Sequence, residues 1–191
     1  MAVATEIAAP SDEQLLTGAV AGNRQSLEEL FRRHGPTAYR VSYRLLGNEA
    51  DALDAVQDGF IKALGALPQF AGRSSFKTWL LRVVSNAALD LGRQRGRRET
   101  LALETLHNGD LGAVGDPAPD HGLECEDLRR KLNEALEQLP LAQRQTFVLH
   151  AEAELSYREV ADTLGISIGT VMSRLFYARQ KLRTILEPWM T

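Results

Sequence analysis

The stretch LSYREVADTLGISIGTVMSRL, from Leu155 to Leu175, decides the fold of the C-terminal part of the chain. Ser156 and Glu159 have the S-x-x-E spacing of a capping box, which begins a short helix. Gly165 allows the positive φ of a tight turn between helices, and a serine two residues later can cap the next helix. The spacing predicts a helix-turn-helix whose second helix presents its outer face to the major groove of DNA. An ordinary antiparallel helix pair is the alternative.

The charged residues fall into three blocks along the chain. Residues 73–98 hold seven basic residues and one acid, whereas residues 99–128 hold eight acids and neither lysine nor arginine. Residues 156–183 again favour basic residues, with five bases and two acids. Two basic surfaces joined by an acidic segment are typical of a protein that contacts one polyanion twice. Solvated helix faces would produce the same charge pattern without a nucleic-acid partner.

The composition is that of a globular protein with one or two domains. The 191 residues include 44% hydrophobic and 25% charged residues, and the net charge of −3 excludes a uniformly basic coat protein. A single cysteine, Cys125, cannot form an internal disulfide and suits a reducing, cytoplasmic location. No apolar run approaches the roughly 20 residues of a membrane span. The N-terminus lacks the basic start and long apolar stretch of a signal peptide.

Apolar residues recur at helical spacing over most of the chain. We therefore predict an all-α fold of two small helical domains, residues 11–98 and 123–187, joined by an acidic flexible linker, residues 99–122. Gly35-Pro36 is expected to kink or break one helix, and Pro140 to occupy the first position of another. Leu53 and Leu64 are assigned to the apolar stripe of a helix at 49–66, with Asp51 largely on its polar side. A further helix is expected at 76–93.

The basic stretch 72–98 combines aromatic, amide and arginine side chains. Phe76 and Trp79 can stack on unpaired bases at roughly 1–3 kcal/mol each. Asn86 can hydrogen-bond to a base edge, and the arginines can hold phosphates. This combination favours unpaired DNA over a smooth duplex. The alternatives are core packing for the two rings and a solvated helix end for the arginine cluster.

Three motifs, in their order, give the chain a resemblance to a known family. DALDAVQDGFIK at 51–62 resembles the polymerase-binding motif of bacterial RNA polymerase sigma factors of the extracytoplasmic-function (ECF) group. FKTWLLRVVSNAALD at 76–90 resembles the helix with which these factors melt and recognise the minus-ten promoter element. Leu139-Pro140, SYREVA at 156–161 and GTVMSRL at 169–175 resemble their domain for the minus-thirty-five element. The resemblance covers about residues 24–98 and 128–186.

The resemblance implies a role for each matching surface. The residues expected to dock on the clamp helices of the largest polymerase subunit are Leu53, Asp54, Gln57, Asp58 and Phe60. The residues expected to hold or shape the site for minus-ten DNA are Arg73, Phe76, Lys77, Trp79, Arg82, Asn86, Asp90, Arg93, Arg95 and Arg97. The residues expected at minus-thirty-five DNA are Arg158, Ser167, Thr170, Ser173, Arg174, Phe176, Tyr177, Arg179 and Lys181.

The implied partners are core RNA polymerase, through its largest-subunit clamp helices and its flap region, promoter DNA and an anti-sigma factor. No membrane insertion is expected. We expect no catalytic residue, metal or cofactor, and therefore no enzyme. The four histidines lack metal-ligand spacing, and we find no phosphate-binding glycine loop or nucleophile elbow.

Two positions of the chain depart from the family pattern. Gly59 stands where the family usually has a bulkier apolar residue, and Phe176-Tyr177 follows the recognition motif where a basic residue is frequent. Two other functions stay open. One is a helix-turn-helix regulator that does not join polymerase, against which the motif at 51–62 argues. The other is a sigma mimic that titrates an anti-sigma factor, against which the basic residues of both DNA-facing regions argue.

Overall fold

The computed structural model describes residues 9–105 and 123–189, with side chains described at 9–95 and 130–188. All regular structure in these ranges is helical, which confirms the all-α prediction. The helices of the first part are α1 (Asp12–Val20), α2 (Arg24–Leu46), α3 (Glu49–Ala66) and α4 (Phe76–Thr105), with a 3₁₀ turn at Leu67–Gln69. Those of the second part are α5 (Leu123–Glu137), α6 (Leu141–Ala151), α7 (Tyr157–Leu164) and α8 (Ile168–Leu186), followed by a 3₁₀ turn at Glu187–Trp189.

Local caps mark the helix starts of the first domain and the end of α2. Ser11 and Gln14 form a reciprocal capping box at the start of α1. Gly47 ends α2 with φ of 80°, and Asn48 caps α3 by accepting from the backbone N–H of Asp51 at 2.9 Å. Ser75 caps α4 through the backbone N–H of Thr78. These local hydrogen bonds satisfy N–H groups that a helix start leaves without partners.

The structure contradicts the break, but not the kink, predicted at Gly35-Pro36, because α2 continues through Pro36. A proline ring normally clashes with the Cβ of the preceding residue and drives that residue out of helical conformation. Gly35 has no Cβ, so this part of the clash is absent, which favours continuation of the helix. The missing proline N–H still removes one helical hydrogen bond.

Helices α2, α3 and α4 enclose the core of the first domain, which includes the fully buried Leu30, Val41, Leu80, Leu81 and Val84. The side of α3 that faces this core carries mainly small residues, namely Ala52, Ala55, Gly59 and Ala63. Small side chains allow α3 to pack closely on α4, and the larger Val56 and Phe60 are half-buried against the core. The assignment of Leu53 and Leu64 to the buried stripe is therefore wrong, since both are exposed.

Helix α4 extends further than the sequence pattern indicates. It ends at Thr105 rather than near residue 93, so residues 99–105, assigned to the linker, belong to the helix. The remaining predicted linker, residues 106–122, lies outside the described residues.

The second domain has the predicted helix-turn-helix. Ser156 and Glu159 form the capping box of α7, and Gly165 ends α7 with φ of 65°. Ser167 caps α8 by accepting from the backbone N–H of Thr170 at 3.1 Å. Pro140 is the N-cap of α6 rather than its first residue, a difference of one position. The core of this domain is formed by residues such as Val148, Leu149, Leu155, Val160, Val171 and Leu175.

The two domains contact each other through polar side chains. The guanidinium of Arg44, at the end of α2, donates to Glu152 Oε1 at 2.9 Å and also to Asn133 of α5. Thr78, in the first turn of α4, donates to Glu159 Oε1 in the first turn of α7 at 2.8 Å. The chain on its own therefore has a closed arrangement in which α6 lies against α2 and α7 lies against α4.

Candidate polymerase and nucleic-acid interfaces

The outward side of α3 carries a mixed apolar and acidic surface, which we call the α3 face. Leu53 is 52% exposed and Ile61 60% exposed, and both lie on the side opposite the alanines. The other exposed residues of the α3 face are Asp54, Gln57, Asp58 and Leu64. Asp58 forms an ion pair with Lys62 at 2.7 Å on the same helix. Exposed apolar residues beside exposed carboxylates are suited to a basic protein partner with apolar contacts.

Phe60, one of the predicted polymerase-binding residues, is not part of the exposed α3 face. It is half-buried, and its ring stacks on that of Phe31 with centroids 4.4 Å apart. Ile61 and Leu64 belong to the α3 face although neither was predicted as a polymerase-binding residue. Their spacing from Leu53, eight and eleven residues, is the helical signal that could have identified them.

The exposed side of α4 forms a second surface, the α4 face, made by Arg82, Asn86, Asp90 and Arg93. These residues follow one another at helical spacing, so their side chains lie along one stripe. Asp90 accepts from Arg93 Nη2 at 2.6 Å, which fixes the carboxylate beside the guanidinium. An exposed amide between cations can hydrogen-bond a base while the cations hold phosphates.

The two aromatic residues at the start of α4 differ in their surroundings. Trp79 is half-buried and lies at the N-terminal end of the stripe, against Phe70 with ring centroids 5.0 Å apart. Phe76 is only 4% exposed and packs near both rings, so it cannot offer a ring face to a base in this structure. Of the two interpretations of Phe76, core packing is the one that the structure shows. The residue belongs to the core, where it supports Trp79.

The remaining minus-ten candidates differ in their exposure and in whether they already pair with another side chain. Arg73 is exposed and Lys77 is half-buried. Arg95 forms an ion pair with Asp51, which is 2% exposed and also accepts from Asn48 Nδ2 at 2.9 Å. The placement of Asp51 on the polar side of α3 is therefore wrong, because the carboxylate is buried between the start of α3 and α4. The side chain of Arg97 lies outside the described residues.

The outer side of α8 and the start of α7 form a third surface, the α8 face. Most of the predicted minus-thirty-five residues lie there exposed, namely Arg158, Ser167, Ser173, Phe176, Tyr177, Arg179 and Lys181. Thr170 and Arg174 are half-buried at its edge. Met172, which the sequence analysis did not select, is 55% exposed on the same helix. The opposite side, with Val171, Leu175 and Ala178, packs into the domain core.

Glu159, in the first turn of α7, contacts the first turn of α4. Its carboxylate accepts from the backbone N–H and the hydroxyl of Ser156, at 2.9 and 2.7 Å. These bonds, together with the hydroxyl of Thr78 and the charge of Lys77, lower the pKa of Glu159 below its ordinary value, against the opposing effect of burial. The group that caps α7 is therefore also a charged contact between the two domains.

Comparison with known proteins places both domains in one family. The Sigma-70 region 2 model matches residues 30–98, and the model of Sigma-70, region 4, matches residues 129–182. The ECF RNA polymerase sigma factor SigE of Mycolicibacterium smegmatis is 36% identical over 182 residues, which cover 93% of this chain and 70% of that protein. The chain belongs to the ECF family of RNA polymerase sigma factors.

Solved structures of sigma factors agree with this placement. The structure of CnrH in complex with the cytosolic domain of CnrY superposes with a TM-score of 0.70 and 28% identity, covering 94% of this chain and 99% of that one. The sigma factor RpoE of Bartonella quintana, in complex with the anti-sigma factor NepR, gives a TM-score of 0.66 and 25% identity, with 84% and 96% covered. In this sigma factor, region 2 contains the α3 and α4 faces and region 4 contains the α8 face.

Two further observations concern the described part of this sigma factor. Among residues 9–105 and 123–189, no helix is long and apolar enough to cross a membrane. Within the same ranges, no three histidine, cysteine or acidic residues come together in a way that could hold a metal ion.

Proposed function

We propose that this sigma factor binds core RNA polymerase through its α3 face and directs it to promoters with two DNA-binding surfaces. The α8 face contacts the duplex minus-thirty-five element in the major groove. The α4 face holds the separated minus-ten strand and thereby favours melting, since captured bases offset the few kcal/mol that unstacking costs. The exposed stripe of Arg82, Asn86 and Arg93, beside the half-buried Trp79, is the observation that carries this proposal.

The same proposal covers partners and location. Polymerase supplies the chemistry of transcription, and this chain contributes binding. We propose that an anti-sigma factor binds the chain and holds it inactive; the similar sigma factor RpoE of Bartonella quintana forms a complex with the anti-sigma factor NepR. The chain would act in the cytoplasm, where polymerase and promoter DNA are found.

The test of the proposal is transcription by purified core polymerase with and without this chain on a matched promoter. Specific transcripts that depend on the chain support a sigma factor. Duplex binding without binding to core polymerase would instead indicate an independent helix-turn-helix regulator. Binding to an anti-sigma factor without any promoter DNA binding would indicate a sigma mimic.

The α3 face allows a more specific prediction. Replacing Asp54 and Asp58 together by alanine should weaken binding to core polymerase by about tenfold, because basic groups on the polymerase lose the two carboxylates that they contact. Both side chains are exposed, so thermal unfolding should change little. The matched control replaces Glu13 and Glu134, two exposed acids on α1 and α5, and should bind as the wild type does. Unchanged affinity of the Asp54/Asp58 variant would contradict the docking assignment.

A further inference from the structure

The centre of the α8 face is apolar, which is unusual for a helix expected to contact DNA. Met172, Phe176 and Tyr177 are 55%, 63% and 56% exposed, and all lie on the side away from Val171 and Leu175. The rings of Phe176 and Tyr177 meet edge to face, with centroids 5.4 Å apart and planes at 78°. This contact holds the phenylalanine ring in place on the surface.

The hydroxyl groups of the same face are engaged by the helix itself. Ser167 Oγ accepts from the backbone N–H of Thr170 and shares a hydrogen bond with its hydroxyl, at 3.1 and 2.9 Å. Ser173 Oγ donates to the backbone carbonyl of Thr170 at 3.0 Å. A hydroxyl has one proton to donate. The Ser173 proton and one of the two hydroxyl protons of Ser167 and Thr170 are therefore already committed within the first turns of α8, which leaves one hydroxyl proton of this set for DNA.

Two of the cations near this face are also engaged within the domain. Lys181 Nζ donates to the backbone carbonyl of Gln138 at 2.6 Å. Arg179 Nη1 donates to the hydroxyl of Tyr157 on α7 at 3.5 Å. Arg174 lies half-buried at the edge of the face rather than at its centre. The large exposed side chains at the centre of the α8 face are thus Met172, Phe176 and Tyr177.

We infer that Met172 and Phe176 recognise thymine through its 5-methyl group in the major groove of the upstream element. The two residues lie one helical turn apart, so their side chains can meet neighbouring base pairs. Thymine is the base that presents a methyl group in the major groove, and apolar side chains are its natural contacts. The inference rests on the proposed function and deepens it, because it names the chemical feature of the promoter that this surface recognises.

The experiment removes the methyl group from the DNA and leaves every hydrogen-bonding group in place. Promoters randomised in the upstream element are first selected for binding by the holoenzyme, formed from core polymerase and the full chain. Each thymine of the selected element is then replaced singly by deoxyuridine. We expect at least one replacement to weaken binding by about three- to fivefold. This is the change in affinity expected when one buried methyl group is removed.

Protein variants assign the effect to the two side chains. Phe176→Ala should bind equally to duplexes with thymine and with deoxyuridine at the position that Phe176 contacts. Met172→Ala should do the same at the position that Met172 contacts. Val20→Ala, which truncates an apolar side chain that is 54% exposed on α1, is the control and should keep the full preference for thymine. If Phe176→Ala proves unstable on heating, Phe176→Leu retains an apolar contact and should retain the preference.

The outcomes separate this inference from the function on which it rests. Sequence-specific binding that is insensitive to deoxyuridine at every position would overturn the thymine contact and leave the sigma-factor function intact. A thymine preference that survives both alanine substitutions would also overturn it. A holoenzyme that selects no element and makes no specific transcripts would contradict the proposed function as well.

Discussion

Gly59 determines how closely α3 and α4 can approach. A Cβ built on this glycine would lie 2.8 Å from Val84 Cγ2 and 2.9 Å from Val84 Cα, closer than real contacts allow. The second of these atoms is backbone, which cannot rotate away. Glycine in a helix costs roughly 1 kcal/mol relative to alanine, and the close packing of the two helices gives a structural reason for that cost.

Gly59→Ala should therefore destabilise the protein by about 1–3 kcal/mol, because the overpacking penalty exceeds the gain in helix propensity. Gly65→Ala, near the end of the same helix, is the matched control, since its Cβ would meet nothing within 4 Å. That variant should be as stable as the wild type or more stable by up to about 1 kcal/mol. Chemical denaturation of both variants measures the difference. Equal stability of Gly59→Ala and wild type would show that α3 and α4 are free to move apart.

For single residues, the residue type can be read from the sequence, but the distance between two packed helices cannot. Gly59 could be recognised as a departure from the family pattern, whereas its contact with Val84 depends on how two distant segments pack. The same limit applies to Phe76. Its position in a basic aromatic stretch is compatible with base stacking and with the core, and only the packing of Phe70 and Trp79 around it decides for the core.

At the scale of elements, the first turn of α7 combines two tasks. Glu159 completes the capping box with Ser156 and also accepts the hydroxyl of Thr78 from the other domain. Because its pKa is lowered in the folded chain, the carboxylate contributes stability that is complete above its ordinary pKa of 4.5. That contribution is lost as the pH falls from 4.5 through the lowered folded value.

Replacing Glu159 by glutamine tests this linkage. The glutamine keeps an oxygen for the cap but cannot lose a charge, so the variant should show a smaller loss of stability than wild type between pH 6 and the acid side of pH 4.5. Urea denaturation at several pH values provides the measurement. Glu13→Gln, at an exposed position on α1, controls for the removal of one negative charge. Identical pH profiles of Glu159→Gln and wild type would contradict the role assigned to Glu159.

The local signals predicted the starts of α7 and α8, since the caps Ser156 and Ser167 act on neighbouring residues. Which side of α3 packs against the core could not be predicted in the same way. Its large apolar residues suggest a buried stripe, but small residues such as Ala55 and Ala63 form the packed side. Which apolar stripe is buried depends on the space that α4 leaves. The exposed stripe then becomes a candidate docking surface.

At the scale of the whole molecule, a half-buried ion pair joins the domains. The side chains of Arg44 and Glu152 are 14% and 23% exposed, and they are separated by more than one hundred positions in the sequence. Asn133 accepts a second hydrogen bond from the same guanidinium. Binding of the two domains to separate promoter elements on polymerase would require these contacts to open. The relative placement of the domains follows from these long-range contacts, which the sequence pattern did not reveal.

A double-mutant cycle measures this contact. Arg44→Ala, Glu152→Ala and the double variant should give a coupling energy of about 1–3 kcal/mol, because the pair is shielded from water. The pair Arg24–Glu28, with side chains 88% and 63% exposed on α2, is the control and should give about 0.2–0.5 kcal/mol. Small-angle X-ray scattering should also show that Arg44→Ala is more extended. Equal coupling in both pairs would mean that the domain contact is no stronger than a surface ion pair.

The most direct test of the account is transcription by the holoenzyme on two templates, one fully paired and one with a permanently unpaired minus-ten element. We expect Arg82→Ala with Asn86→Ala to impair transcription strongly on the paired template and much less on the unpaired one, because that template does not need melting. Arg174→Ala should impair both equally, since the upstream duplex is the same. Equal defects of the α4 variant on both templates would contradict the division of the promoter between a duplex-binding and a strand-holding surface.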